Sequence, residues 1–153
     1  MFTLLSTARR KLLAIVMSGE VATCPCCNAT QKVYKRRVHS SVARDLIKLY
    51  KVGGAEKYVH YSKFRTTAGS GDIAKARFFG LLIHKPKSPL DRVRKASGYW
   101  KLSTKGIMFV EGRIAIPEYV KVYQNEVIGS GFWTVFMQEC LGDKFNYDEL
   151  MGF

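Results

Sequence analysis

Three cysteines crowd into the stretch TCPCCN, residues 23–28. Thiols this close suit metal or redox chemistry in a reducing compartment rather than a secreted disulfide framework. Cys24 and Cys27 have the C-x-x-C spacing from which two thiolates can bind one Zn²⁺ out of a tight turn, and Cys26 between them leaves another pairing open. His39 follows at a finger-like distance, and His60, His84 and Cys140 are isolated candidates for a further ligand. A structural Zn²⁺ usually takes four protein ligands, and no second C-x-x-C is present, so this is half a metal site. The same thiols also read as small buried apolar groups. A thioredoxin-like redox role lacks βαβ surroundings.

The second chemistry is electrostatic. Twenty-five Lys and Arg against twelve Asp and Glu give a formal charge of +13 and a pI near 9.8. A domain this basic is poised to meet a polyanion, and nucleic acid, DNA or RNA, is the commonest one. The cations are unevenly spread. Lys32, Lys35, Arg36, Arg37, Arg44, Lys48 and Lys51 fall in one block, and Lys75, Arg77, Lys85, Lys87, Arg92, Arg94, Lys95 and Lys101 in another. After Ile116 the balance turns acidic, so a polyanion is expected to meet the first two-thirds of the chain. Lys35, Arg36 and Arg37, with Tyr34 beside them, form one candidate nucleic-acid face. No Ser-His-Asp order, phosphate-binding glycine loop, paired-His motif or carboxylate cluster is identifiable, and an enzyme is not expected.

These groups need elements to hold them. Leu4, Leu5, Ala8, Leu12, Ile15 and Val16 fall on one side of a first helix, which is expected to pack on its own domain or to form a homodimer. Arg9, Arg10 and Lys11 split its apolar run, which falls short of the ~20 residues of a membrane span, so a cytoplasmic protein without a membrane partner is expected. Val42, Ala43, Leu46, Ile47, Leu49 and Tyr50 make the apolar stripe of a second helix capped by Ser40 or Ser41. Arg44, Asp45, Lys48 and Lys51 take its other face, and Gly53 ends it. A short helix from Ser70 or Asp72 to about Phe79 turns Ile73, Ala76 and Phe79 inward and Ala74 and Phe78 the opposite way. YSKFRTTAGSGD leaves room for barely one turn before it. LLIHKP and GYWKLS read as strands around a basic loop, with Leu81, Leu82 and Ile83 buried. A helix in TKGIMFVEG, a hairpin turning at Gln124–Asn125 and two short helices, the second capped by Asn146, complete an α+β chain.

FFGLLIHKP resembles the end of a recognition helix entering the first wing strand, and GYWKLSTKG is similar to the segment that closes the wing in winged helix-turn-helix DNA-binding proteins. The likeness covers Lys57 to Gly112 best. More loosely, much of the chain resembles a small phage-encoded winged-helix type, with a cysteine knuckle before the basic helix and an ending like FNYDELM. The resemblance implies three parts: an N-terminal helix and cysteine-knuckle hairpin (1–39), a winged-helix domain (40–112), and a strand and helix extension on the same core (113–153). It implies base contacts from Ala74, Lys75, Arg77 and Phe78. Phosphate or minor-groove contacts would come from Lys85, Lys87, Arg92, Arg94 and Lys95. The function implied is a non-enzymatic regulator of transcription or of another DNA transaction, in a host cytoplasm if phage-encoded. The alternative is a protein-interaction module, such as an inhibitor of a host enzyme, using Phe132, Trp133, Phe136, Phe145, Tyr147 and Phe153.

Overall fold

The stripe from Val42 to Tyr50 folds into helix α2, Ser40–Lys51, and this helix is the hub of the core. In the computed structural model, which describes residues 4–66, 72–86, 89–90 and 98–152, Val42, Ala43, Leu46, Ile47 and Leu49 are all buried. They pack in one cluster with Phe64, Phe79, Leu102, Phe109 and Met137, among others. Two details differ from the sequence reading. His39 occupies the N-cap in extended backbone with no side-chain hydrogen bond, and Ser40 already lies within the helix. Asp45, expected on the polar face, is 1% exposed. Its Oδ1 accepts from the Thr66 amide at 2.7 Å and from the Thr66 hydroxyl at 2.6 Å. Two strong bonds from a distant loop thus replace water around Oδ1, while the buried Oδ2 has no hydrogen-bond partner among the described residues. Asp45→Ala would leave the Thr66 amide short of an acceptor. We expect a loss of about 1–3 kcal/mol, read as a lower urea midpoint at unchanged slope.

After α2, Gly53 takes a φ of +95°, the left-handed turn that stops the helix. Strand β4 (Val59–His60) and one 3-10 turn (Tyr61–Lys63) follow. Next come a 3-10 helix (Asp72–Phe79), the antiparallel strands β5 (Leu82–His84) and β6 (Tyr99–Leu102), and helix α3 (Thr104–Val110). Among the described residues one turn precedes the second helical segment, in keeping with the shortness of YSKFRTTAGSGD. Ser70, one proposed cap, lies outside the described residues. Ile73, Ala76 and Phe79 are buried, and their spacing of three suits a 3-10 helix, in which residues i and i+3 eclipse.

The sheet order is β4–β6–β5, so the last strand of the unit inserts between the first two. Val59 pairs with Trp100, and Leu82 with Leu102; all four are buried on the core face. His60 pairs with Tyr99, and Ile83 with Lys101, on the other face. Strand alternation explains why Ile83, expected in the core, is 42% exposed.

The segment STKG welds the hairpin to the helix before it. Ser103 Oγ accepts from the Gly106 amide at 2.9 Å, capping α3, and donates to the Gly80 carbonyl. The Ser103 amide donates to the Leu81 carbonyl at 3.0 Å. Gly80 itself has a φ of +74° where the 3-10 helix turns into β5.

Around this unit, helix α1 (Leu5–Met17) leads to a hairpin of β1 (Ala22–Thr23) and β2 (Thr30–Gln31). Strand β3 (Tyr34–Arg36) pairs with β8 (Val120–Tyr123), which pairs with β9 (Glu126–Ser130). The β8–β9 turn has φ of +50° and +63° at Gln124 and Asn125, the two left-handed residues a tight hairpin requires. Strand β7 (Ile116–Pro117) pairs with β10 (Thr134–Val135). Helices α4 (Met137–Leu141) and α5 (Tyr147–Met151) close the chain, the latter capped by Asn146 Oδ1 on the Glu149 amide at 3.0 Å.

The result is α+β with small antiparallel sheets. Residues from 38 to 141 share one core, so the C-terminal extension packs on the same cluster as the central unit. Helix α1 is only lightly attached. Val16 is buried with Ala22 and Tyr123, and Leu12 packs against them, whereas Leu5 is 71% exposed. Among the described residues, no helix is long and apolar enough to cross a membrane.

Candidate nucleic-acid interface

The 3-10 helix does not stand free. Strand β8 packs on it, and a cleft of about 300 Å³ opens between Ala74, Lys75, Arg77 and Phe78 on one side and Tyr34, Arg36, Val122, Gln124 and Asn125 on the other. Two separate groups of expected contact residues thereby meet: the helix residues and Arg36. Ala74, Lys75 and Phe78 are half-buried, while Arg77 is exposed. The cleft cations are held by ring faces. Arg36 lies 4.8 Å from the Tyr34 ring centroid, with Lys32 at 4.7 Å from the same ring, and Arg77 lies 5.0 Å from Phe78. Such contacts hold a guanidinium in place without neutralising it. The Arg36 Nε is buried and has no hydrogen-bond partner among the described residues.

The outward face of the β4–β6–β5 sheet adds further cations. Lys85 lies 5.3 Å from the Tyr99 ring, Lys101 6.0 Å from the Tyr58 ring, and the His60 ring meets Tyr99 edge-on at 5.0 Å. The Lys85 amide continues the ladder by donating to the Tyr99 carbonyl at 3.0 Å. Lys87, Arg92, Arg94 and Lys95, expected on the loop between β5 and β6, lie outside the described residues.

The three cations of KVYKRR are divided by strand alternation. Arg36 sits opposite Val120 and faces the cleft; Lys35 sits opposite Lys121 on the outer face. Lys35 and Arg37 lie 4.8 and 5.8 Å from the Tyr119 ring, and Arg37 pairs with Glu118 at 3.2 Å. The sequence reading missed Tyr119 and the part the Gln124–Asn125 turn plays in closing the cleft. The turn itself was legible, but its position against the 3-10 helix was not.

The cysteines form a knuckle on the β1–β2 hairpin. The Cys24 carbonyl accepts from the Asn28 amide at 2.9 Å, the Cys24 amide donates to Ala29, and Asn28 takes a φ of +60°. Backbone amides of Cys26 and Cys27, with their thiols adding, hold the Cys24 thiol below its usual range. Cys24 and Cys26 line a groove against α1. His39 is elsewhere: it lines a groove of about 600 Å³ with Arg37, Glu118, Glu139, Cys140 and Asp143, among others. Burial, with the Glu139 charge adding, pushes the Cys140 thiol up to about 11, so it remains protonated at neutral pH. The expected Zn²⁺ set Cys24, Cys27 and His39 is therefore not assembled on one surface. Among the described residues, no group of three or more His, Cys, Asp or Glu side chains is placed to hold a metal ion.

Comparison with known proteins gives no match to a protein-family model, to a curated protein or to a solved structure.

Proposed function

We propose that the chain is a non-enzymatic duplex-DNA-binding protein of winged-helix type, acting as a regulator of a DNA transaction. The observation that carries this reading is the cleft, where Arg36 joins Lys75 and Arg77 beside the helix that precedes the β5–β6 hairpin. The order helix, strand, one turn, helix, strand, strand, with the strands paired β4–β6–β5, supports this reading, in which a winged helix would place its helix in a groove.

Arg36 lines the cleft, and its guanidinium offers donors suited to a phosphate oxygen entering there. Ala74 and Phe78 are half-buried against the core. They therefore shape the helix face, and Arg77 is the side chain with freedom to reach a base edge or a phosphate. Lys85 and Lys101 supply further cations on the outward sheet face.

The test is a salt titration of binding to a fluorescent duplex. Three to five phosphate contacts from these cations give a slope of log affinity against log salt of about −2.7 to −4.5, at roughly 0.9 per contact. A slope shallower than about −1 would mean that the cleft does not engage the backbone.

A further inference from the structure

Phe132 and Trp133 are 90% and 71% exposed, and their rings meet edge-on at 5.4 Å. Large aromatics left in water at a fixed position are unusual, and they mark a surface that something covers. Their backbone is pinned. The Gly131 amide donates to the Tyr119 carbonyl at 2.9 Å, and the Glu118 amide donates to the Trp133 carbonyl at 2.8 Å. Gly131 also lies so close to Tyr119 that an added Cβ would sit 2.7 Å from the ring. The two exposed rings therefore stand at the end of the strand edge that carries Tyr119. Tyr119 in turn has Lys35 and Arg37 over its ring, and Lys121 is exposed opposite Lys35.

We propose that this outer sheet face, bearing Lys35, Arg37, Lys121, Tyr119, Phe132 and Trp133, is a second nucleic-acid site that binds a single strand by base stacking. The occupant follows from the mixture of groups. Cations spaced along β3 and β8 match a phosphate backbone, and aromatic faces at the strand end match unpaired bases of any sequence. A purely apolar protein partner would leave Lys35 and Lys121 buried without counter-charges. Arg37 keeps most of its donors, because its exposed pairing with Glu118 at 3.2 Å is a weak tie. The site lies on the face of the β3–β8–β9 sheet opposite the cleft, so one chain could hold a duplex on one side and a separated strand on the other.

The test uses the intact chain, labelled oligo-dT and oligo-rU, a duplex, and anionic phospholipid vesicles. Trp100 is 7% exposed and Trp133 is 71% exposed, so quenching of emission on adding a strand reports mainly on Trp133. Quenching by either oligo is expected, and the ratio of the two affinities shows which type of strand is preferred. The double substitution Phe132→Ala and Trp133→Ala is expected to weaken strand binding by at least about tenfold, with the thermal midpoint and duplex affinity unchanged. Lys75→Glu with Arg77→Glu should do the reverse, so failure of the duplex reading and failure of this one are separable. Unchanged strand affinity in the aromatic double variant would overturn the proposal. So would Trp133 emission that responds to vesicles but not to either strand.

Discussion

Charge reversal at Arg36, Lys75 and Arg77 together is expected to lower duplex affinity by at least two orders of magnitude near physiological salt. At about 0.15 M salt, the counterions released by one phosphate contact are worth about 1 kcal/mol, so three lost contacts already correspond to roughly 150-fold. Repulsion from the introduced carboxylates adds to this. The slope of log affinity against log salt should flatten by about 2.7, at roughly 0.9 per contact. A charge of +13 would attract DNA weakly from any direction, so the comparison that matters is an equal reversal elsewhere. Arg10, Lys11 and Lys144 are exposed, line no part of the cleft and carry the same number of charges. If their reversal weakens binding as much as reversal in the cleft, the attraction is diffuse and the cleft is not the interface. Arg36 and Lys75 are half-buried, so each variant needs an unfolding curve first. Glutamine at Arg36 and Lys75 serves where glutamate unfolds the chain.

How far the sequence foretold this arrangement depends on the range of each interaction. The stripe of α2 was legible because its residues report on one another through the helical period, and the buried set from Val42 to Leu49 matches it. The turn at Gln124–Asn125 was legible because Asn tolerates positive φ, although Gln124, which carries no such preference, also takes it. Asp45 was misplaced because what draws it inward, Thr66, is 21 residues away and leaves no mark on the local pattern. The KVYKRR cations could be alternated from the sequence, but which alternate faces the core depends on β8, more than eighty residues on. The same limit separates His39 from Cys24. Their spacing suits a finger, yet His39 ends at the mouth of α2 while the cysteines lie against α1. Ile83 is the exception, because the alternation that exposes it can be read within three residues of β5.

Gly106→Ala, the smallest change available in α3, is expected to destabilise the chain by up to about 2 kcal/mol, and two opposed effects decide the sign. Alanine is favoured over glycine inside a helix by about 1 kcal/mol, so on propensity alone the substitution stabilises. Against this, the new Cβ would sit 2.1 Å from the Leu81 carbonyl oxygen and 3.0 Å from its carbon, with Leu102 Cδ2 at 3.2 Å. The leucine methyl can yield, but the carbonyl is backbone and also receives the Ser103 amide. Relief therefore requires α3 to withdraw from the junction of the 3-10 helix and β5, and forced core shifts of this kind cost about 1–3 kcal/mol before cavities are counted. The clash outweighs the propensity gain. The measurement is a urea unfolding curve for the wild type, Gly106→Ala and Ser103→Ala. The last removes the cap and the tie to Gly80 while leaving the approach unobstructed, and should cost about 1 kcal/mol. Because that junction sets the angle between the helix beside the cleft and the hairpin after it, Gly106→Ala should also weaken duplex binding in conditions where it remains folded. A stabilised Gly106→Ala protein would show that α3 stands off from Leu81, and the rigid link between helix and hairpin would fall with it.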